Sequence, residues 1–480
     1  MSLALALLLA DTLVVGLLSD PVSLDPHRAT DTTAAAVLVN VCESLVRYRP
    51  GDAEPHARLA TTWSTRDARE WTFSLRTGVR FHDGTAFDAD AVVANLESLR
   101  KERAFPGRAM RLGTDTVAIT LERADAALLA TLAQPFYCMQ SPRELARPAP
   151  RSPVGTGPFR LASSKPGLVE LEADPGYWGG RPLPGALQYR RYASPAALAA
   201  ALTNGEVDVT SSLDPEAAAG LRPDRLVIER RTGLDVVYLA LNHQRPPFSD
   251  VRVRQALARS IDRPGLVREV LQGHGQPAHN PLPPSLPGYS LRTRQLGLDR
   301  ETAHRLLAAA GLHDGFSTTL LAVDSPRPYL PHPMALAERL RSELAQVQVR
   351  ARPLTAPSWA AYLERITRGD FDMAVLGWQA DSLDPNDFLS SLLASEAIGS
   401  TNRSRYSSPE MDTLLKRGRR TSSLPERIAI YGDVQALFQH DMPWVPLYHL
   451  ETLTVHQKAL RGVLIDPTGV ARLEKAWRKP

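Results

Sequence analysis

Short runs of apolar and β-branched residues alternate along this chain with stretches whose apolar residues recur at helical spacing. That alternation restricts the fold to mixed α/β layers. Thr12 to Leu18 (TLVVGLL) has the composition of a buried strand, and Leu24-Asp25-Pro26 turns the chain before a helical stretch from Thr32 to Val46. Trp71 to Leu75 alternates as a half-buried strand does, and Asp83-Gly84 marks a turn. Asp88 is placed to cap a helix through Ala91, Val92, Leu96 and Leu99, and Val117 to Leu121 follows as a strand.

The second half repeats the alternation. Strands are predicted around Phe159 to Ala162 and Leu168 to Leu171. Helices follow at Asp250 to Ile261, at Arg300 to Ala310 with Gly311 as its C-cap, and at Met334 to Gln346. Val347 to Leu354 and Phe371 to Trp378 read as strands, Leu424 to Asp441 as a helix, and Trp444 to Tyr448 as a short strand. Arg147 to Pro153 and His279 to Tyr289 are Pro-rich loops. No repeat and no low-complexity linker divides the 480 residues, which predicts lobes that interleave, the chain crossing between them more than once.

Composition removes several function classes. The net charge is only +4, and the basic residues are scattered, whereas a nucleic-acid footprint is a clustered basic face. No later stretch approaches the roughly 18 apolar residues of a spanning helix. Met1 to Ala10 (MSLALALLLA) has the length of a signal-peptide apolar core without the basic residues that should precede it. It reads as a signal remnant or a disordered N-terminus. Cys42 and Cys138 form no metal-binding pattern, and their number fits either a single bridge or two buried thiols. There is no P-loop, no H-E-x-x-H helix and no G-x-S-x-G elbow. Gly155-Thr156-Gly157 lacks the third glycine of a dinucleotide loop and reads as a tight turn. A peptide hydrolase would need a nucleophile–base pair or a metal motif, and neither is present. No cofactor and no metal is expected.

Two segments carry candidate binding groups. In Asp324-Ser325-Pro326-Arg327-Pro328-Tyr329-Leu330-Pro331, three prolines stiffen a loop and hold an Arg and a Tyr at fixed positions. In Gly377-Trp378-Gln379-Ala380-Asp381-Ser382-Leu383-Asp384-Pro385, a strand ends on an aromatic residue and a carboxylate follows. Rigid loops at strand ends are frequent sites of binding groups. Alone, Arg327 also fits a surface ion pair, and Asp381 also fits a cap for the helix after Pro385.

A set of ordered segments resembles family 5 of the extracellular solute-binding proteins, the peptide/nickel-binding group of ABC importers. They are Leu24-Asp25-Pro26, Val79 to Gly84, Phe87 to Val93, Gly155 to Phe159, Gly176 to Gly179, Val253 to Leu257 with Ile261-Asp262, and Asn280-Pro281 with Pro283-Pro284. The resemblance runs from Asp11 to about Ala476. It implies a two-lobe periplasmic-binding-protein fold of type II, in the large three-subdomain peptide-binding class, with mixed β-sheets flanked by helices and a hinge between lobes. On that basis residues 1–10 precede lobe I, 11–242 form lobe I, 243–449 form lobe II, and 450–480 return to lobe I. The similarity is greatest to dipeptide-binding members. Arg327 to Pro331 matches R-P-Y-x-P, and Gly377 to Asp381 matches G-W-x-x-D.

The resemblance implies that Asp381 holds a ligand's α-amino group, that Arg327 holds its α-carboxylate, and that Tyr329 and Trp378 line the site. Nickel-binding members lack this pair. The implied function is capture of dipeptides or short oligopeptides for a membrane permease, by a periplasmic, monomeric protein that is not an enzyme. Glutathione, haem, antimicrobial peptides and metal chelates are alternative ligands within the family. The two disulfides of the dipeptide-binding relative have no counterpart here, since Cys42 and Cys138 lie elsewhere.

Overall fold

A computed structural model of the protein describes residues 12–293, 295–380 and 382–479. The chain forms two compact units, Met1–Arg231 with Thr452–Pro480, and Thr232–Glu451. It therefore passes from one unit to the other twice.

In the first unit the strand Thr12–Leu17 lies parallel to Ala186–Arg191, with Thr12 opposite Ala186 and Leu17 opposite Arg191. Ala186–Arg191 pairs antiparallel with Leu168–Ala173, and that strand pairs antiparallel with Phe159–Lys165. The side chains of Thr12–Leu17 alternate between two cores, as the strand period of two requires. Leu13, Val15 and Leu17 join Val37, Leu38 and Val41 of the helix Thr32–Val41. Val14 joins Leu198, Leu202 and Val207. A strand covered on both faces reads as a continuous apolar run, which is how TLVVGL appears. Gly16 lies where a Cβ would come within 2.3 Å of Leu198 Cδ1, so the strand and the helix Pro195–Thr203 meet closely there.

A separate four-stranded antiparallel sheet orders Ala60–Thr65, Glu70–Leu75, Thr116–Leu121 and Gly107–Arg111. The helix Ala89–Arg103 packs on it, and the Asp88 side chain accepts from the Ala91 N–H as its N-cap. The expected helix from Thr32 to Val46 ends earlier, at Val41, because the chain turns extended at Cys42. Beyond that point the buried Glu43 carboxylate accepts from the Tyr177 hydroxyl at 2.9 Å, the Thr156 hydroxyl at 2.9 Å and the Trp178 indole N–H at 2.7 Å, and it pairs with Arg58. Arg58 also stacks over Trp178 at 4.4 Å. The glycines of Gly155-Thr156-Gly157 serve close approach, since a Cβ on either would come within 2.3 and 2.5 Å of the Val41 carbonyl oxygen. Cys42 and Cys138 are free, buried thiols in one core. Burial first, and then the hydrogen bond with Cys42, raises the Cys138 thiol well above its ordinary range.

In the second unit the strand order is Val349–Ala356, Phe316–Val323, Met373–Gln379, Asp235–Leu241, then the first part of Trp444–Gln457. Every residue of Asp235–Leu241 is buried, as expected of a central strand. Phe316–Val323 runs parallel to both its neighbours, and Asp235–Leu241 runs antiparallel to both of its own. The expected short strand Trp444 to Tyr448 continues to Gln457, through polar residues such as His449 and Thr454 that the sheet buries. The strand expected from Val347 begins at Val349, because Gln348 adopts a left-handed φ of 61° and makes the turn from the preceding helix. Helices Pro333–Ala345 and Trp359–Arg368 pack on Phe316–Val323 and Val349–Ala356. Among the described residues, no helix is long and apolar enough to cross a membrane.

Candidate functional site

The strand Phe316–Val323 runs into the Pro-rich loop, and the loop closes on itself at once. The Arg327 N–H donates to the Leu330 carbonyl at 2.9 Å, and the Leu330 N–H donates to the Arg327 carbonyl at 2.9 Å. Pro328 and Tyr329 form the tip between these two bonds. Proline fixes its own φ, and the reciprocal bonds fix the ends, so the loop presents Arg327 and Tyr329 with little conformational freedom.

Two contacts position the side chains. The Arg327 guanidinium lies over the Trp359 ring, 4.1 Å from its centroid. Trp359 is the first residue of the helix that Ser358 caps, and its ring stacks on Tyr362 with centroids 5.4 Å apart and planes 15° from parallel. Tyr362 in turn donates its hydroxyl hydrogen to the Val375 carbonyl on the strand Met373–Gln379. Arg327 is thus referenced to the sheet through two aromatic rings. Tyr329 packs on the same strand at Gly377, where a Cβ would come within 2.3 Å of the Tyr329 ring. Only glycine leaves room for the ring at that approach. Burial raises the Tyr329 hydroxyl above its ordinary range, against the opposing pull of Arg327 and Arg403.

Several guanidiniums of the interior meet partners. Arg427 pairs with Asp384 at 2.6 Å, and Arg254 donates to the carbonyls of Phe248, Ser249 and Asp441. Among the described residues, no carboxylate lies within ion-pair distance of Arg327, and its Nε is buried without a hydrogen-bond partner. A partly buried cation with no counter-charge is unfavourable, so the arrangement suits an anion supplied by a ligand.

Arg327 and Tyr329 are therefore brought together. Trp378 follows Gly377 on the strand, and successive strand residues face opposite sides, so its side chain leaves the face against which Tyr329 packs. Asp381 lies outside the described residues. The helix that follows, Pro385–Leu393, is capped by Asp384, whose carboxylate accepts from the Asn386 N–H at 2.9 Å. That corrects the capping alternative for Asp381. One site residue escapes sequence reasoning: Trp359 carries no signal beyond its place after the capping Ser358. Among the described residues, no group of three or more His, Cys, Asp or Glu could hold a metal ion.

Comparison with known proteins adds the following. The sequence model of the bacterial extracellular solute-binding proteins, family 5 (middle region), matches residues 54–400. The dipeptide-binding protein of Escherichia coli K12 is 29% identical, with 97% of this chain and 94% of that protein covered. The structure of HbpA2 from Haemophilus parasuis superposes with a TM-score of 0.92 at 27% identity, covering 98% of this chain and 100% of the other. The dipeptide-binding protein of Pseudoalteromonas sp. SM9913, solved in complex with Met-Leu, gives a TM-score of 0.76 at 27% identity, over 98% and 100% of the two chains.

Proposed function

Because the chain belongs to the bacterial extracellular solute-binding proteins of family 5, we propose that it is the substrate-binding component of an ABC importer whose ligand is a dipeptide or short oligopeptide. It works in the periplasm as a monomer and hands its ligand to a permease in the inner membrane.

The observation that carries this reading is the Arg327 guanidinium, held over Trp359 at 4.1 Å with no carboxylate of the described residues beside it. A planar, rigidly held guanidinium matches a carboxylate through two parallel hydrogen bonds. A free peptide ends in such a carboxylate and begins with a cationic amine. In this proposal Arg327 takes the carboxylate, Asp381 takes the amine, and Tyr329 contributes an aromatic wall. The two ends of a zwitterion are then read by charge, and the side chains between them lie in space that tolerates water and variety. The similarity to the dipeptide-binding protein of Escherichia coli supports the choice of ligand class.

Ligand carried through purification tests the proposal. Protein purified without refolding is denatured, and the released small molecules are identified by mass spectrometry. Short peptides with free termini are the expected result. Recovery of haem, glutathione or a metal chelate in their place would contradict the reading.

A further inference from the structure

The chain enters the second unit at Thr232 and leaves it at Glu451. The two passages, Thr232 to Asp235 and His449 to Glu451, lie side by side and are bonded to each other. The Gly233 N–H donates to the Leu450 carbonyl at 2.7 Å. The Leu450 N–H donates to the Asp235 carboxylate at 3.0 Å, and His449 Nδ1 lies 2.6 Å from the Asp235 carbonyl. The first passage also adjoins the strand that leads to Asp381, since the Ala380 N–H donates to the Leu234 carbonyl at 2.7 Å. These passages are the covalent links between the units, so any movement of one unit against the other must bend them.

The Asp235 carboxylate, which ties the passages together, is buried without a counter-charge. Its residue is 5% exposed. Gly233 makes room for it, because a Cβ there would come within 2.1 Å of Asp235 Oδ1. Among the described residues, no Arg, Lys or His side chain lies within ion-pair distance of it. Across the sheet on one side stands Gln379, which is neutral. On the other side Tyr448 faces Val237, so Tyr448 shares a face of the sheet with Asp235, and its buried hydroxyl has no hydrogen-bond partner. His449 is pushed down to about 4 by burial, as is His279, so both rings are neutral near pH 7. Glu451 lies 3.6 Å from His274, and Arg231, just before the first passage, pairs with Glu229 at 2.7 Å. An anion at this position is unfavourable. The neutral acid still accepts from Leu450 and gains a hydrogen of its own to donate. Burial accordingly pushes the carboxyl up to about 7, against the pull of the Leu450 bond.

We propose that Asp235 is a proton-operated clasp on the two passages: the neutral carboxyl holds them together, and loss of its proton loosens them. The sign follows from burial. The clasped state keeps the proton to a higher pH than an opened state in which water reaches the carboxylate. The carboxyl's contribution to the clasp is therefore complete below the ordinary carboxylate range and is lost as pH rises through about 7. The device sets how readily the links between the units bend, whatever ligand the protein carries.

Hydrogen exchange at the Gly233 and Leu450 amides tests the clasp, in the full chain and in Asp235→Asn, at pH 6 and pH 8. Asparagine keeps the shape and the bond to Leu450 but cannot ionise. The protection gained by the substitution should be about tenfold larger at pH 8 than at pH 6. His449, His279 and the His274–Glu451 pair are present in both proteins, so their own titration cancels from the comparison. Both amides should also exchange faster than the Leu239 amide, in the middle of the same strand, as a local opening requires. In the unaltered protein, with aspartate carboxyl carbons labelled with 13C, one carbon should titrate at about pH 7, a reading that needs no variant. An equal gain at the two pH values would overturn the clasp. So would exchange no faster than that of Leu239, or labelled carbons that all titrate in the ordinary carboxylate range.

Discussion

Replacing Arg327 with lysine is expected to weaken binding of a free dipeptide by one to two orders of magnitude, a loss of about 1.5–3 kcal/mol. The substitution keeps a positive charge. What it removes is the planar fork that meets a carboxylate with two bonds, and the flat face that rests on Trp359 at 4.1 Å. A lysine ammonium is a mobile point charge, and fixing it over the ring would require additional loss of side-chain entropy. Trp359→Ala should act in the same direction through Arg327 alone, by releasing the guanidinium from its support. Titration calorimetry of both variants measures the effect. Affinities equal to the unaltered protein would show that the carboxylate of the ligand is held elsewhere.

The second large expected effect is a steep loss of stability in mild acid. His27, His243 and His449 are all pushed down to about 4 by burial. Each is committed as a neutral ring. His27 bonds to Ser98 at 2.8 Å, His243 Nε2 lies 2.9 Å from the Pro443 carbonyl, and His449 Nδ1 lies 2.6 Å from the Asp235 carbonyl. In the unfolded chain these rings take up protons near pH 6.5, whereas the folded chain resists until about pH 4. Their contribution is complete above pH 6.5 and is lost as pH falls towards 4. Asp235 opposes them, because burial raises its carboxyl to about 7, so the folded state holds a proton that the unfolded state has released. Asp235 thus adds stability as pH falls from 7 towards 4. Three protons gained by the unfolded state against one held by the folded state leave a net slope of about 2–3 kcal/mol per pH unit. His279 is also lowered to about 4 and acts in the same direction. Urea unfolding at pH 7.5 and pH 5 should show a midpoint that drops sharply at the lower pH. A midpoint that stays constant would contradict the burial of these rings.

Much of the layer structure was legible because local chemistry and tertiary placement agree. Thr12–Leu17 is an apolar run because both its faces are covered. Asp88 caps the helix that its position announces. The misjudged boundaries lie where tertiary contacts override pattern. The helix from Thr32 stops so that Glu43 can reach Tyr177 and Trp178, residues more than a hundred positions away. The strand from Trp444 runs on through His449, because a buried histidine bonded to a backbone carbonyl is tolerated inside a sheet. At the site, proline spacing and aromatic placement pointed to Arg327 and Tyr329. Nothing local could announce that Trp359 supports Arg327, since that relationship joins separate elements of the unit. The contact of Cys42 with Cys138 is of the same kind.

The central claim is that both charged ends of a peptide are read. Its most direct test is calorimetric titration of the full chain with one dipeptide in three forms: free, N-acetylated and C-amidated. Acetylation removes the cation assigned to Asp381, and amidation removes the anion assigned to Arg327. Each capped form should bind at least about tenfold more weakly than the free dipeptide. Equal affinity for all three would contradict the account and point to a ligand recognised by something other than its termini.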